Sequence, residues 1–109
     1  MNRLWMTLGV VGAVVWLAAP AAAQEYRGKM QGQVVDESRG VLPGVTLTLR
    51  NDATGVTVDR ISDAEGRYRF DFVDPGTYSV TAALQGFRSA VQKAVRMPQR
   101  GDVTVDLVM

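Results

Sequence analysis

The chain has no cysteine and no histidine, and these two absences remove most of the chemistry open to a protein of 109 residues. Without cysteine there is no thiolate nucleophile and no disulfide, whatever the redox state of the compartment. Without histidine there is no imidazole base and no Ser-His pair, and the usual nitrogen ligand of zinc is missing. Both tryptophans, Trp5 and Trp16, sit near the start, so the rest of the chain has none. Long apolar runs are scarce too. Past residue 23 nothing approaches the 20 or so apolar residues that a spanning helix needs. Nor does one sign of charge dominate. The 12 Lys+Arg and 11 Asp+Glu are interspersed, with no basic stripe to track a phosphate backbone, so a nucleic-acid partner is not expected. No cofactor is expected either.

What is present at the front is an export signal. Met1-Asn2-Arg3 is a charged start and Leu4 to Ala19 is largely apolar. Small residues follow, with Ala21 and Ala23 set as an A-x-A site, so this N-terminal signal helix is expected to be cleaved between Ala23 and Gln24. If it were retained, it would be the chain's one membrane contact. Cleavage removes Arg3 and leaves the mature chain with balanced charge. The expected organisation is a signal peptide over 1–23, a lead-in over 24–29 and one domain over 30–109.

The mature part is punctuated at nearly even spacing. Segments start at Val45, Val56, Arg67, Thr77 and Phe87, each ten or eleven residues after the last. Most of them alternate. Val45, Leu47 and Leu49 oppose Thr46, Thr48 and Arg50; Tyr68, Phe70 and Phe72 oppose Arg67, Arg69 and Asp71; Tyr78, Val80 and Ala82 oppose Thr77, Ser79 and Thr81. The end alternates as well, through Val103, Val105, Leu107 and Met109. Short period-2 strands between regular turns predict an all-β sandwich with one wet face per sheet. Counting Lys29 to Asp36 as the first strand gives seven antiparallel strands. The aromatic row Tyr68, Phe70, Phe72 and Tyr78 is then a core lining, because its pattern matches its neighbours. Val56 to Ile61 has no cleanly apolar face and suits an exposed edge. Arg88 to Met97 fits a helix face nearly as well as a strand, and is assigned as a strand.

Candidate site residues are few. Asp71 with Asp74, and Asp63 with Glu65, are the close carboxylate pairs, and both lie in turns where polar residues are ordinary. No catalytic residue is assigned. Asp59, Asp63 and Glu65 offer oxygen ligands for calcium, but fall short of the six to eight such a site takes. Tyr26 and Phe87 are the aromatics left over for a ligand contact.

The stretches "GQVVDESRGVLPGVTLTLRNDATG", "SDAEGRYRF", "VDPGTYSV" and "LQGF", in that order, resemble the carboxypeptidase regulatory-like domain from about Met30 to Met109. The resemblance implies a transthyretin-like Greek-key sandwich. Its turn residues have local reasons. Pro43-Gly44 launches a strand, Pro75-Gly76 suits a type II turn, and Gly66 and Gly86 bend the chain, the last so that Phe87 can close the core end. Such domains often follow a signal peptide in TonB-dependent, Oar-like outer-membrane receptors. That implies a non-catalytic accessory domain in the periplasm, at the outer membrane or outside the cell, with a protein partner or a polysaccharide. Either a stand-alone product or the front of a receptor that continues into a plug and barrel is expected. Enzymes of similar fold, zinc peptidases and hydroxyisourate hydrolases, depend on histidines this chain lacks. Collagen-adhesin repeats join a lysine to an asparagine, but Lys29 finds no asparagine in the last strand. The alternative function is a starch-binding-like, carbohydrate-binding module.

Overall fold

The computed structural model describes residues 26–109; the expected signal segment, its expected cleavage site between Ala23 and Gln24, and the first part of the lead-in lie outside them. The described residues form two packed sheets built from β1 (Gly28–Val35), β2 (Thr46–Asn51), β3 (Thr57–Ile61), β4 (Arg67–Val73), β5 (Gly76–Ala83), β6 (Ala90–Met97), β7 (Asp102–Thr104) and β8 (Leu107–Val108). One sheet runs β4-β1-β7, with β8 also on β1, and the other runs β3-β2-β5-β6. The strand β4 returns to lie beside β1, which is the closing move of a Greek key. Alternate side chains of β1, β2, β4 and β5 meet between the layers. Met30, Leu47, Phe70, Val80 and Met97 are almost fully buried there.

The expectation of seven antiparallel strands needs two corrections. β7 and β8 both run parallel to β1, because the chain crosses from β6 into the other sheet before it returns along β1. They are also two strands, not one. The Asp106 carboxylate accepts the Gln33 N–H at 2.9 Å, replacing a ladder carbonyl, while Val105 and Met109 resume bonding to Gln31 and Val35. The final segment keeps its alternation across the break, with Val105 and Leu107 buried.

A third correction concerns the aromatic row. Tyr68, Phe70 and Tyr78 are buried, but Phe72 is 65% exposed and Val73 takes the inward place. The β1–β4 register jumps from Met30↔Phe70 to Gly28↔Val73, so Asp71 and Phe72 together face Lys29. This bulge reverses the in-out phase and puts Phe72 at φ 56°, a backbone state that bulky residues rarely adopt. The proline-glycine step also differs from expectation. Gly76 has φ 156°, far from the +80° or so of a type II turn. The link from β4 to β5 changes sheet instead of turning a hairpin, so it has no tight reversal to make. Phe87, placed at the core end by its pattern, is 41% exposed and lies outside the core cluster.

Buried polar groups are paired. The Ser62 hydroxyl accepts the Val45 N–H and donates to the Leu42 carbonyl. The Tyr68 hydroxyl donates to the Val105 carbonyl, pinning the final segment to β4 across β1. Burial, followed by the negative charge of Asp106, raises the Tyr68 pKa well above its ordinary value. The folded state thus holds the proton more tightly than the unfolded chain, in which tyrosine ionises near pH 10. Its stabilising contribution is complete below about pH 10 and declines as pH rises further, because the unfolded chain then releases the proton first. Urea midpoints taken from pH 8 to 11 are expected to drop steeply at the alkaline end. The drop should be shallower in Tyr68→Phe, which has no proton to lose there.

Candidate functional site

The two layers do not end together. Leu47 and Leu49 of β2 pair with Arg60 and Val58 of β3, and directly paired residues project to the same face. Val58 and Arg60 therefore point toward the core side, and so does Val56, whose carbonyl accepts the Asn51 N–H. Yet Val56 is 62% and Val58 40% exposed. They overhang because the opposite sheet stops at β4, leaving nothing above them. The edge strand β3 is thus exposed on both faces, as its mixed sequence suggested.

The missing cover has a matching free edge. The Val34 N–H bonds the Gly66 carbonyl, and pairs along β1 and β4 alternate from there, so Tyr68 and Phe70 turn their backbone groups toward β1. Arg67, Arg69 and Asp71 turn theirs away. Arg67 is already capped: its N–H goes to the Asp63 carboxylate and its carbonyl accepts the Asp63 N–H. That leaves the backbone of Arg69 and Asp71 open to a new partner.

Two hollows lie beside β3 and this edge. One of about 660 Å³ starts at Arg60, Ile61 and Asp63 and spreads past Arg67 and Arg69 over Gln31, Gln33, Thr104 and Asp106 of β1 and the final segment. The second, about 290 Å³, has an apolar floor of Leu49, Phe70, Val73 and Tyr78 and walls that include Val56, Val58 and Phe72. Arg60 belongs to both, with its guanidinium 5.7 Å from the centre of the Phe70 ring. It makes no ion pair among the described residues, and it donates a hydrogen bond to the carbonyl of the adjacent Asp59. Arg69 is paired with Asp71 at 2.7 Å in the open. Phe72 stands at the far end, with the Arg27 guanidinium 5.1 Å from its ring centre. An outward aromatic in a strained backbone position, beside an apolar hollow, is a feature that binding surfaces use.

The structure distributes the sequence-derived candidates differently. Asp59 accepts the Thr48 hydroxyl, and one Asp63 oxygen is taken by the N–H groups of Glu65 and Arg67. Asp59, Asp63 and Glu65 are not brought into one ligand set; no metal-holding group of three occurs among the described residues. Tyr26 and Phe87 are 42% and 41% exposed, but neither lines the groove. Pro43-Gly44, Gly66 and Gly86 occupy turns, with φ of 77°, 76° and 89° at the three glycines. The residue that sequence reasoning missed is Phe72. The apolar pair Phe72-Val73 was the available signal, since two successive apolar residues let the alternation change phase.

A family model for the carboxypeptidase regulatory-like domain matches residues 29–109. Comparison with curated protein sequences gives no match. Among solved structures, a putative carbohydrate binding protein from Bacteroides uniformis is 22% identical at a TM-score of 0.60, covering 76% of this chain and 41% of its own. The dioxygenase domain of a dioxygenase carbohydrate-binding protein fusion from Streptomyces is 14% identical at 0.61, covering 84% of each chain. A cohesin-X-dockerin complex from Acetivibrio cellulolyticus gives 17% and 0.58, over 73% of this chain and 52% of that one. The chain therefore spans about half or less of two of these three. At such identities the likeness is one of fold.

Proposed function

Because the chain belongs to the carboxypeptidase regulatory-like domain family, we propose that it is a non-catalytic accessory domain that binds a protein partner in the cell envelope. The observation that carries this reading is the open groove between β3 and β4, where apolar walls and unpaired backbone lie uncovered. A catalytic site would need an activated nucleophile or a tuned acid and base. The groove offers arginines, exposed carboxylates and an aromatic instead. The likeness to a domain from a cohesin-X-dockerin complex supports a role in protein assembly.

A signal peptide followed by this domain, as expected from the sequence, would resemble the front of a TonB-dependent receptor, which supports a partner at the outer membrane. Cell fractionation with intact-mass analysis tests this. The expected product sits in the outer-membrane fraction, begins at Gln24 and extends past Met109. A freely soluble product ending at Met109 would rule out the receptor reading, and a membrane species retaining Met1 would rule out cleavage.

Carbohydrate binding is the second reading, favoured by Phe72, whose exposed ring adds to Tyr26 and Phe87 as an aromatic open to a ligand. The relative from Bacteroides uniformis agrees with it. Saturable binding of a soluble glucan, removed by Phe72→Ala, would establish it.

A further inference from the structure

We propose that the groove accepts one extended segment of a partner protein, which adds to the free edge of β4 as a further strand. This rests on the reading of the chain as a protein-binding domain and goes beyond it by naming the partner's chemistry. Three observations converge. The backbone groups of Arg69 and Asp71 point away from β1 with no strand to receive them. Val56 and Val58 project over the space where such a strand would lie, and the hollow below is floored by apolar side chains. The hollow of about 290 Å³ follows β4 from Phe70 to Asp74, with Val56, Val58 and Arg60 across from it, so the vacancy is drawn out along the strand.

The same geometry selects the segment. An added strand presents alternate side chains to the core, so apolar residues at every second position would cover Val58 and enter the hollow of about 290 Å³. Main-chain bonds to Arg69 and Asp71 would supply affinity independent of sequence, with the pockets reading alternate side chains. A carboxylate on the segment would meet Arg60, which forms no ion pair among the described residues and lies over an aromatic ring. The occupant is therefore an extended apolar-polar alternating peptide with an acidic residue. The bulge at Asp71-Phe72 limits the new pairing at one end, and the Asp63 cap on Arg67 limits it at the other.

The test titrates the exported chain, labelled with nitrogen-15, with a blocked heptapeptide of alternating isoleucine and threonine carrying one glutamate. Saturable shifts at the Arg69 and Asp71 amides are expected, with at least tenfold slower hydrogen exchange at both. Methylating the peptide backbone nitrogens on the side facing β4 should weaken binding at least tenfold. That control changes nothing in the protein, so it holds even if variants fold poorly. Arg60→Glu should weaken the glutamate peptide and strengthen one carrying lysine. Binding without protection of Arg69 and Asp71, or unaffected by methylation, would overturn the proposal. So would a dimer of the chain alone with those amides already protected. If no peptide binds but Phe72→Ala releases a partner from the native protein, the added strand is wrong while protein binding stands. Shifts at Phe72 produced by a soluble glucan, with none from peptide, would remove both.

Discussion

Phe70→Ala is expected to cost roughly 3–5 kcal/mol of folding stability, the usual range for removing a buried ring. The ring is 2% exposed, meets Tyr68 edge-on at 5.8 Å between centres, and floors the hollow under Arg60. Deleting it would merge a cavity with an existing one, so little collapse can offset the loss. For a single small domain without disulfides, that is a large part of the 5–15 kcal/mol that folded proteins generally have. Phe72→Ala, two residues along the same strand, should change stability by about 1 kcal/mol or less, because its ring is mostly in water. Arg69→Ala should fall within about 0.5 kcal/mol, since an exposed ion pair contributes little. Urea unfolding of the three variants reads all of this as midpoints. Equal losses for Phe70→Ala and Phe72→Ala would mean that the row is continuous and the bulge absent.

The contrast between those two phenylalanines shows how far the sequence could be read. Alternation reports which side of a strand a residue takes only while the register holds. Thr46 to Leu49 and Val80 to Ala83 keep one register with each other, and the inward Leu47, Leu49, Val80 and Ala82 were identified correctly; where β5 meets β6 the extra residue falls on β6, so β5 itself stays in phase. At Asp71 an extra residue enters, and every later inference on that strand changes sign. Strand direction was less legible still. Asp102 to Val108 alternates in the same way whether it runs with or against β1, because period-2 burial carries no sense of direction. The edge character of β3 was legible, since Val56, Val58, Arg60 and Ile61 offer no clean face. The groove was not legible. It arises because one sheet ends at β4 while the other extends to β3, and the length of a sheet belongs to the packed pair.

The exposed edge also bears on what the fold must avoid. An open strand with apolar neighbours is a template for unwanted pairing. Here the edge is short: Asp63 caps it at Arg67 and the bulge closes it after Asp71. Arg60 and Arg69 place charge along the rest. The same devices that blunt aggregation would also restrict a true partner to a short segment of the right charge.

Gly32→Ala is expected to be as damaging as loss of the Phe70 ring, for a different reason. A Cβ at Gly32 would overlap the Val105 carbonyl oxygen, with its carbon at 2.6 Å and the Tyr68 hydroxyl oxygen at 2.9 Å. Val105 is the joint between β7 and β8, and its carbonyl accepts the buried Tyr68 hydroxyl. To admit a methyl group, the final segment must lift from β1. That strains the packing of Val105 and Leu107 and breaks the hydrogen bond. Overpacking alone costs about 1–3 kcal/mol, and an orphaned buried polar group adds about 1–3 more. The total is therefore about 2–6 kcal/mol. Gly44→Ala is the useful comparison, with φ of 77° but nothing within 4 Å of an added Cβ. Left-handed backbone costs a residue with a side chain about 1–2 kcal/mol, so Gly44→Ala should be the milder change. The sequence held a hint, since a glycine inside a strand marks a close backbone approach. Hydrogen exchange separates the two variants: Gly32→Ala should expose the Val105 and Met109 amides first, whereas Gly44→Ala should leave them protected. If both variants lose the same stability and the final segment stays protected, the backbone at Gly32 has room to spare, and the close packing of Val105 on β1 is wrong.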